Sequence, residues 1–170
     1  PYTASSPRTL AIGHHKAWTT ALLARFGYPV ATSRVFHATV LQGADFTEKT
    51  KAWALEFGLP CFVKACESGS SIGVTRVATE EEFKHAFEMA FKACDSAMIE
   101  SLLDGREFTC GVIPSIPGGP PRALPVTEII AHNAFFDYEA KYEGKSEDKT
   151  PADLDAKTTA QIQELALAVY

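Results

Sequence analysis

Large apolar side chains recur at three- and four-residue spacing in several stretches of the chain, which is the pattern of an amphipathic helix. The clearest stripe is formed by Phe83, Phe87 and Phe91, and it predicts a helix that packs on a sheet. The other predicted helices are residues 15–26, residues 45–57 and a final helix that begins after Asp155. Residues 1–13 are expected to be irregular.

Short β-branched or alternating stretches lie between these helices and predict strands. They are residues 29–36, 61–64, 73–77, 97–100, 107–113 and 123–130. Because most of these strands are joined by hairpin-like loops with helices interspersed, an α+β fold is favoured over a doubly wound parallel sheet. Residues 132–153 are polar and charged without helical or strand period, and a loop of that length is expected to be either functional or disordered.

The composition limits the classes of partner. A formal net charge of −5 argues against a general nucleic-acid-binding surface. No apolar run approaches the roughly 20 residues of a membrane span, so no membrane partner is expected. The four cysteines are Cys61, Cys66, Cys94 and Cys110, and they form no C-x-x-C pair. A reducing, cytoplasmic location is therefore predicted.

The most informative stretch is a buried strand that ends in Lys64 and leads into a loop of small residues, 66–73. Glycine in the loop permits backbone angles that other residues avoid, and its exposed N–H groups can form a concavity that binds anions. With the charge of Lys64 beside it, the loop is interpreted as a phosphate-holding hairpin. The alternative is an ordinary polar turn, and Lys64, like Lys16 and Lys141, can equally pair with a nearby carboxylate.

Two further stretches have the residue types that a nucleotide requires. Glu100, the backbone near Leu103, and Glu107 could hold an adenine and a ribose, the alternative being an exposed hairpin whose carboxylates face water. In the polar segment, aromatic side chains including Phe135 alternate with charges including Lys141, which indicates a lid that closes on a ligand. The alternative is a loop that packs on its own domain.

Together these stretches resemble the ATP-grasp fold and, within it, the D-alanine–D-alanine ligase family. The resemblance covers nearly the whole chain. Its moderately specific part is Gly-Ser-Ser-Ile-Gly at residues 69–73, and its highly specific part is Tyr-Glu-Ala-Lys-Tyr at residues 138–142. It implies an α+β fold in which an antiparallel sheet packed with helices forms a nucleotide-binding lobe, followed by the beginning of a second lobe.

The resemblance also implies an activity. The family joins two D-alanines for peptidoglycan precursors, using ATP to form an acyl phosphate that the second amine attacks, mainly through positioning and charge neutralisation. By resemblance, the ATP phosphates would be contacted by Lys16, Lys64, Ser71 and Lys141. The base would be held by Glu100, Leu103 and Phe135, and the ribose by Glu107. Ser70 and Tyr142 would link the loop and the lid over the reacting substrates.

By the same resemblance, residues 1–14 are the end of an N-terminal domain or a linker, and residues 15–103 are the central ATP-grasp subdomain. Residues 104–170 are the start of the C-terminal subdomain, with a lid loop at 132–153. The Mg²⁺ ligands are expected outside this chain, which alone is expected to be inactive. A homodimer of the full-length protein is compatible with the family.

The chain departs from the family pattern at three positions that border the nucleotide site. His15, Ala65 and Ser101 stand where the family usually has Asp, Pro and Lys. Two other functions therefore stay open at this point. One is an ATP-grasp ligase with a different carboxylate and amine, and the other is a non-catalytic nucleotide-binding module.

Overall fold

An antiparallel sheet of four strands, ordered β1-β4-β2-β3, forms the centre of the first part of the chain. The structure is a computed structural model that describes residues 5–114, 119–131 and 146–170. The chain divides into two units, Pro1–Leu103 and Asp104–Tyr170. The strands of the first sheet are β1 (Ser33–His37), β2 (Cys61–Ala65), β3 (Val74–Val77) and β4 (Ser96–Ser101).

Four α-helices accompany this sheet. They are α1 (Pro7–His14), α2 (Lys16–Arg25), α3 (Phe46–Phe57) and α4 (Glu82–Phe91), with a short 3-10 helix at Ala38–Gln42. The predicted aromatic stripe is confirmed, because Phe83 and Phe87 of α4 are fully buried in one core cluster. Val63 of β2 and Ile99 of β4 belong to the same cluster, and Trp53 of α3 contributes a ring edge to both phenylalanines.

The described residues of the second unit form two small antiparallel sheets and one helix. The larger sheet, ordered β5-β8-β9, consists of β5 (Glu107–Thr109), β8 (Thr127–Ala131) and β9 (Ser146–Lys149). The smaller pairs β6 (Val112–Ile113) with β7 (Arg122–Ala123). Helix α5 (Ala156–Val169) begins where predicted, because the Asp155 carboxylate accepts hydrogen bonds from the N–H groups of Lys157 and Thr158.

Four expectations from the sequence are wrong. Pro7–His14 is a helix rather than irregular, because the Ser6 hydroxyl accepts from the Thr9 N–H and proline occupies the first turn. The strand predicted over 107–113 is the two short strands β5 and β6, and the strand predicted over 123–130 is likewise divided into β7 and β8. The lid loop predicted over 132–153 contains strand β9. This strand pairs with β8 through its backbone, and its four residues are all polar.

Candidate functional site

One face of the first sheet is packed by α4 and the opposite face carries charged side chains. Alternation along β2 buries Val63 in the core and directs Phe62 and Lys64 to the opposite face. The strand register places Glu100 of β4 and Arg76 of β3 on either side of Phe62. Two positive charges and one carboxylate therefore share this face.

Lys64 and Glu100 form a hydrogen-bonded ion pair across β2 and β4. The two side chains are only 22% and 20% exposed. The Lys64 ammonium also lies 5.2 Å from the centre of the Phe62 ring, in a cation–π arrangement. Lys64 is thus held on the sheet by a carboxylate and an aromatic face, which was the alternative that its sequence context left open.

The loop after β2 adopts left-handed backbone angles at three positions, Ser70 (φ 51°), Ser71 (φ 59°) and Gly73 (φ 68°). Such angles are uncommon for residues other than glycine and cost of order 1–3 kcal/mol each, so they persist only where the surroundings impose them. The turn is closed by the Ile72 N–H, which donates to the Gly69 carbonyl at 3.0 Å. The two serines of the predicted phosphate loop are therefore in a tight, defined turn.

Lys16 fixes the first half of this loop. Its ammonium donates to the Ala65 carbonyl at 3.1 Å, the Ser68 carbonyl at 2.8 Å and the Ser68 hydroxyl at 3.1 Å. The Ser68 hydroxyl in turn donates to the Ile72 carbonyl at 2.8 Å. A lysine from α2 thus connects the end of β2 to the serine turn, and its contact with a phosphate stays a prediction.

Gly73 closes the loop at a position where a side chain does not fit. A Cβ atom there would lie 2.9 Å from the Ala65 Cβ and 3.2 Å from the Ala93 Cβ. Gly73 also has a positive φ, whereas Gly69 has open space around its Cα. The second glycine of the motif is therefore required by packing and by backbone angle, and the first is required by neither.

No contact among the described residues joins the residues that were predicted to hold adenine and ribose. The Leu103 side chain is 71% exposed, and Glu107 lies at the start of β5 in the second unit, paired with Ile129 of β8. The remaining predicted residues, Phe135, Lys141 and Tyr142, lie outside the described residues. Their roles, and those of Ser70 and Ser71, stay predictions.

The second unit has its own ion pair. Arg106 donates to both carboxylate oxygens of Glu128 at 2.7 Å, and to the Asp153 carbonyl at 3.0 Å. The hydrogen bond from Arg106 lowers the pKa of Glu128 and raises that of Arg106. The guanidinium also lies 5.0 Å from the centre of the Phe108 ring.

Arg76 was not among the site residues predicted from the sequence. The alternation in Val74-Thr75-Arg76-Val77, with Val77 fully buried, could have placed Arg76 on the face opposite to the core. Its register opposite Phe62 adds a second cation to the face that carries Lys64.

Neither a metal-binding cluster nor a membrane-spanning helix occurs within residues 5–114, 119–131 and 146–170. No group of three or more His, Cys, Asp or Glu there could hold a metal ion. In that same part of the chain no helix has the length and apolarity to cross a membrane.

A family model described as the C-terminus of D-ala D-ala ligase matches residues 22–170. The chain belongs to the D-alanine–D-alanine ligase family. Over 121 residues it is 51% identical to the D-alanine–D-alanine ligase of Christiangramia forsetii, a match that covers 71% of this chain and 36% of that protein.

Solved structures agree on the fold. The D-alanine-D-alanine ligase from Coxiella burnetii superimposes with a TM-score of 0.72 at 30% identity, covering 94% of this chain and 39% of that one. The VanG D-Ala:D-Ser ligase from Enterococcus faecalis superimposes with a TM-score of 0.71 at 30% identity, covering 94% of this chain and 45% of that one. The α+β ATP-grasp fold is thereby confirmed. The chain spans less than half the length of each of these three proteins.

Proposed function

We propose that the protein is an ATP-dependent D-alanine–D-alanine ligase that supplies dipeptide for peptidoglycan precursors in the cytoplasm. The observation that carries the proposal is the position of Lys64, on the charged face of the first sheet at the entry to the serine turn. Membership of the ligase family and its similarity to the C. forsetii enzyme support it. The free thiols of all four cysteines are consistent with a reducing compartment.

The proposed nucleotide site has residues that fit a polyphosphate. Lys64 and Arg76 place two cations on one face of the sheet, and the tight turn that contains Ser70 and Ser71 joins the two strands that carry them. Lys16 holds that turn in place through Ser68. ATP supplies the phosphoryl group that activates a carboxylate, and these residues would bind and orient its phosphates while excluding water.

The other predicted residues take roles that the family resemblance supports. Glu100, the Leu103 backbone and Phe135 would hold the base, and Glu107 the ribose. Lys141 would add a third cation, and Ser70 and Tyr142 would connect loop and lid over the D-alanines. Mg²⁺ is assigned no ligand among the described residues, because they contain no cluster of the required kind.

A second candidate is a ligase of the same fold that uses another amine. The similarity to a D-Ala:D-Ser ligase, at the same 30% identity as to the Coxiella enzyme, favours considering D-serine as the second substrate. A passive nucleotide-binding module is the remaining alternative. It would bind nucleotide without turnover.

The experiment is a substrate panel on the full-length protein, with ADP formation and the dipeptide product both measured. D-alanine alone is expected to stimulate ADP formation and to yield D-alanyl-D-alanine, while L-alanine does neither. Preferential formation of D-alanyl-D-serine from an equimolar mixture would support the second candidate. Nucleotide binding without any D-alanine-stimulated ADP formation would contradict both ligase proposals.

A further inference from the structure

Two cysteines of the first unit share one hydrogen-bond partner. The Cys94 sulfur lies 3.6 Å from the Ser96 hydroxyl, and Cys66 contacts the backbone of the same serine. The backbone holds this arrangement, because the Cys66 N–H donates to the Ser96 carbonyl at 3.0 Å. Cys94 also packs against the small apolar cluster that contains Cys66 and Met98. The two cysteines are therefore neighbouring residues around Ser96.

The two thiols differ in exposure and in their surroundings. Cys66 is fully buried, and burial raises its pKa. Burial also disfavours the charged form of Cys94, but hydrogen bonds from the backbone and side chain of Ser96 and from the Glu67 backbone hold its pKa below the ordinary value. Cys94 is partly exposed and lines an open pocket beside Glu67. A thiol that is both accessible and stabilised as thiolate is the one that oxidants attack first.

The remaining cysteines lack this combination. Cys61 is buried in the main core, and burial raises its pKa to about 11. Cys110, in the second unit, donates its S–H to the Leu124 carbonyl at 3.4 Å. They serve as internal controls for Cys94.

We propose that Cys94 is a peroxide-reactive thiol and that Cys66 resolves it into an intramolecular disulfide. In the first step the Cys94 sulfur attacks hydrogen peroxide, the O–O bond breaks, Cys94 becomes a sulfenic acid and one water leaves. In the second step the Cys66 sulfur attacks the Cys94 sulfur, the S–O bond breaks, and the hydroxyl leaves as water with the Cys66 proton. Two thiols are oxidised by two electrons, and peroxide is reduced to two waters.

The bond would join two segments that the fold already places together. Cys66 is the first residue after β2 and begins the serine loop, and Cys94 lies three residues after α4. The Lys16 N–H donates to the Cys66 carbonyl at 2.9 Å, so the crosslink lies at the anchored base of that loop. The chemistry itself does not depend on the proposed ligase function.

The test is to treat the reduced full-length protein with hydrogen peroxide, block remaining thiols under denaturing conditions and map the peptides by mass spectrometry. We expect a disulfide-linked pair of peptides containing Cys66 and Cys94, reversed by dithiothreitol, with Cys61 and Cys110 still alkylated. The wild-type map decides the question without any variant. Free Cys66 and Cys94 after treatment, or a disulfide to another cysteine, would overturn the proposal.

Variants assign the order of the steps. Cys66→Ala is expected to stop at a Cys94 sulfenic acid that dimedone traps, and Cys94→Ala to abolish the disulfide and the trapped adduct. Cys110→Ala is the matched control and should leave the Cys66–Cys94 disulfide unchanged. Dimedone adducts on Cys66 in the Cys94→Ala protein would contradict the assignment of Cys94 as the first thiol to react.

Discussion

Among the described residues, Lys64–Glu100 in the first unit and Arg106–Glu128 in the second are ion pairs at the principal sheet of each unit, and they are built differently. Lys64 meets one carboxylate oxygen of Glu100 through a compact ammonium. Arg106 meets both oxygens of Glu128 through two parallel hydrogen bonds and adds a third to the Asp153 carbonyl. A planar guanidinium in a fork is fixed in direction, whereas an ammonium with three rotatable donors is not.

The difference indicates different uses of charge. The ammonium of Lys64 can exchange one anionic partner for another by rotating a flexible stem, so its pairing with Glu100 is compatible with binding a phosphate. The Arg106 guanidinium hydrogen-bonds both carboxylate oxygens of Glu128. Loss of this guanidinium removes a link between β8 and the segment before α5. The first pair is therefore interpreted as part of a binding site and the second as part of a scaffold.

The largest effect is expected for Lys64→Ala. Removing a cation that neutralises phosphate charge should reduce kcat/KM for ADP formation about a hundredfold in the full-length protein. Lys51→Ala is the matched control, because Lys51 pairs with Glu48 on the exposed surface of α3. Steady-state ADP release measures both, and equal activity of the two variants would place Lys64 outside the site.

Gly73→Ala tests whether the backbone of the loop after Lys64 is constrained. The new Cβ would meet the Ala65 Cβ at 2.9 Å at a positive φ. We expect a loss of about 2 kcal/mol in the free energy of unfolding. Gly69→Ala, which meets nothing within 4 Å, should cost less than about 1 kcal/mol. Urea unfolding compares them, and equal costs would show that the loop is not constrained at its second glycine.

Arg106→Lys tests the fork without removing its charge. A lysine cannot make the two parallel hydrogen bonds, so Tm should fall by a few degrees while nucleotide affinity is unchanged. Arg34→Lys is the matched control, since Arg34 contacts Glu56 at 2.7 Å and also lies over an aromatic ring. A weakened nucleotide affinity in Arg106→Lys would remove the distinction between site and scaffold.

The smallest expected effect is a pH dependence at Glu128. Its pKa in the folded protein is lowered from 4.5, mainly by the Arg106 hydrogen bond. The stabilisation by the Arg106–Glu128 pair is therefore present above pH 4.5, and it is lost as the pH falls through the lower pKa of Glu128 in the folded protein. The stability difference between wild type and Glu128→Gln should be constant near neutral pH and shrink in acid. Chemical unfolding over a pH series measures it, and a difference that grows in acid would contradict the sign.

The sequence allowed good predictions where the cause is local. The Phe83 and Phe87 stripe predicted a buried helix because its spacing matches the helical repeat, and Asp155 predicted a helix start because capping needs only adjacent N–H groups. Strand β9 could not be predicted in this way, since Ser-Glu-Asp-Lys has no apolar alternation and pairs through its backbone.

The partners within the candidate site depended on distant parts of the chain. Lys64 and Glu100 are 36 residues apart and meet only because β4 lies beside β2. Lys16 and Ser68 are 52 residues apart and meet because α2 begins beside the loop. Residue types and local spacing indicated a phosphate site, but the strand order was needed to show that Glu100 holds Lys64 and that Arg76 shares its face.

The central claim is that the Lys64 pair is exchangeable and the Arg106 fork is not. It is tested most directly by a crystal structure of the full-length protein with Mg²⁺ and a non-hydrolysable ATP analogue. We expect the Lys64 ammonium to lie within hydrogen-bond distance of a phosphate oxygen, while Arg106 keeps both contacts to Glu128. A nucleotide bound elsewhere, with Lys64 still paired only to Glu100, would contradict it.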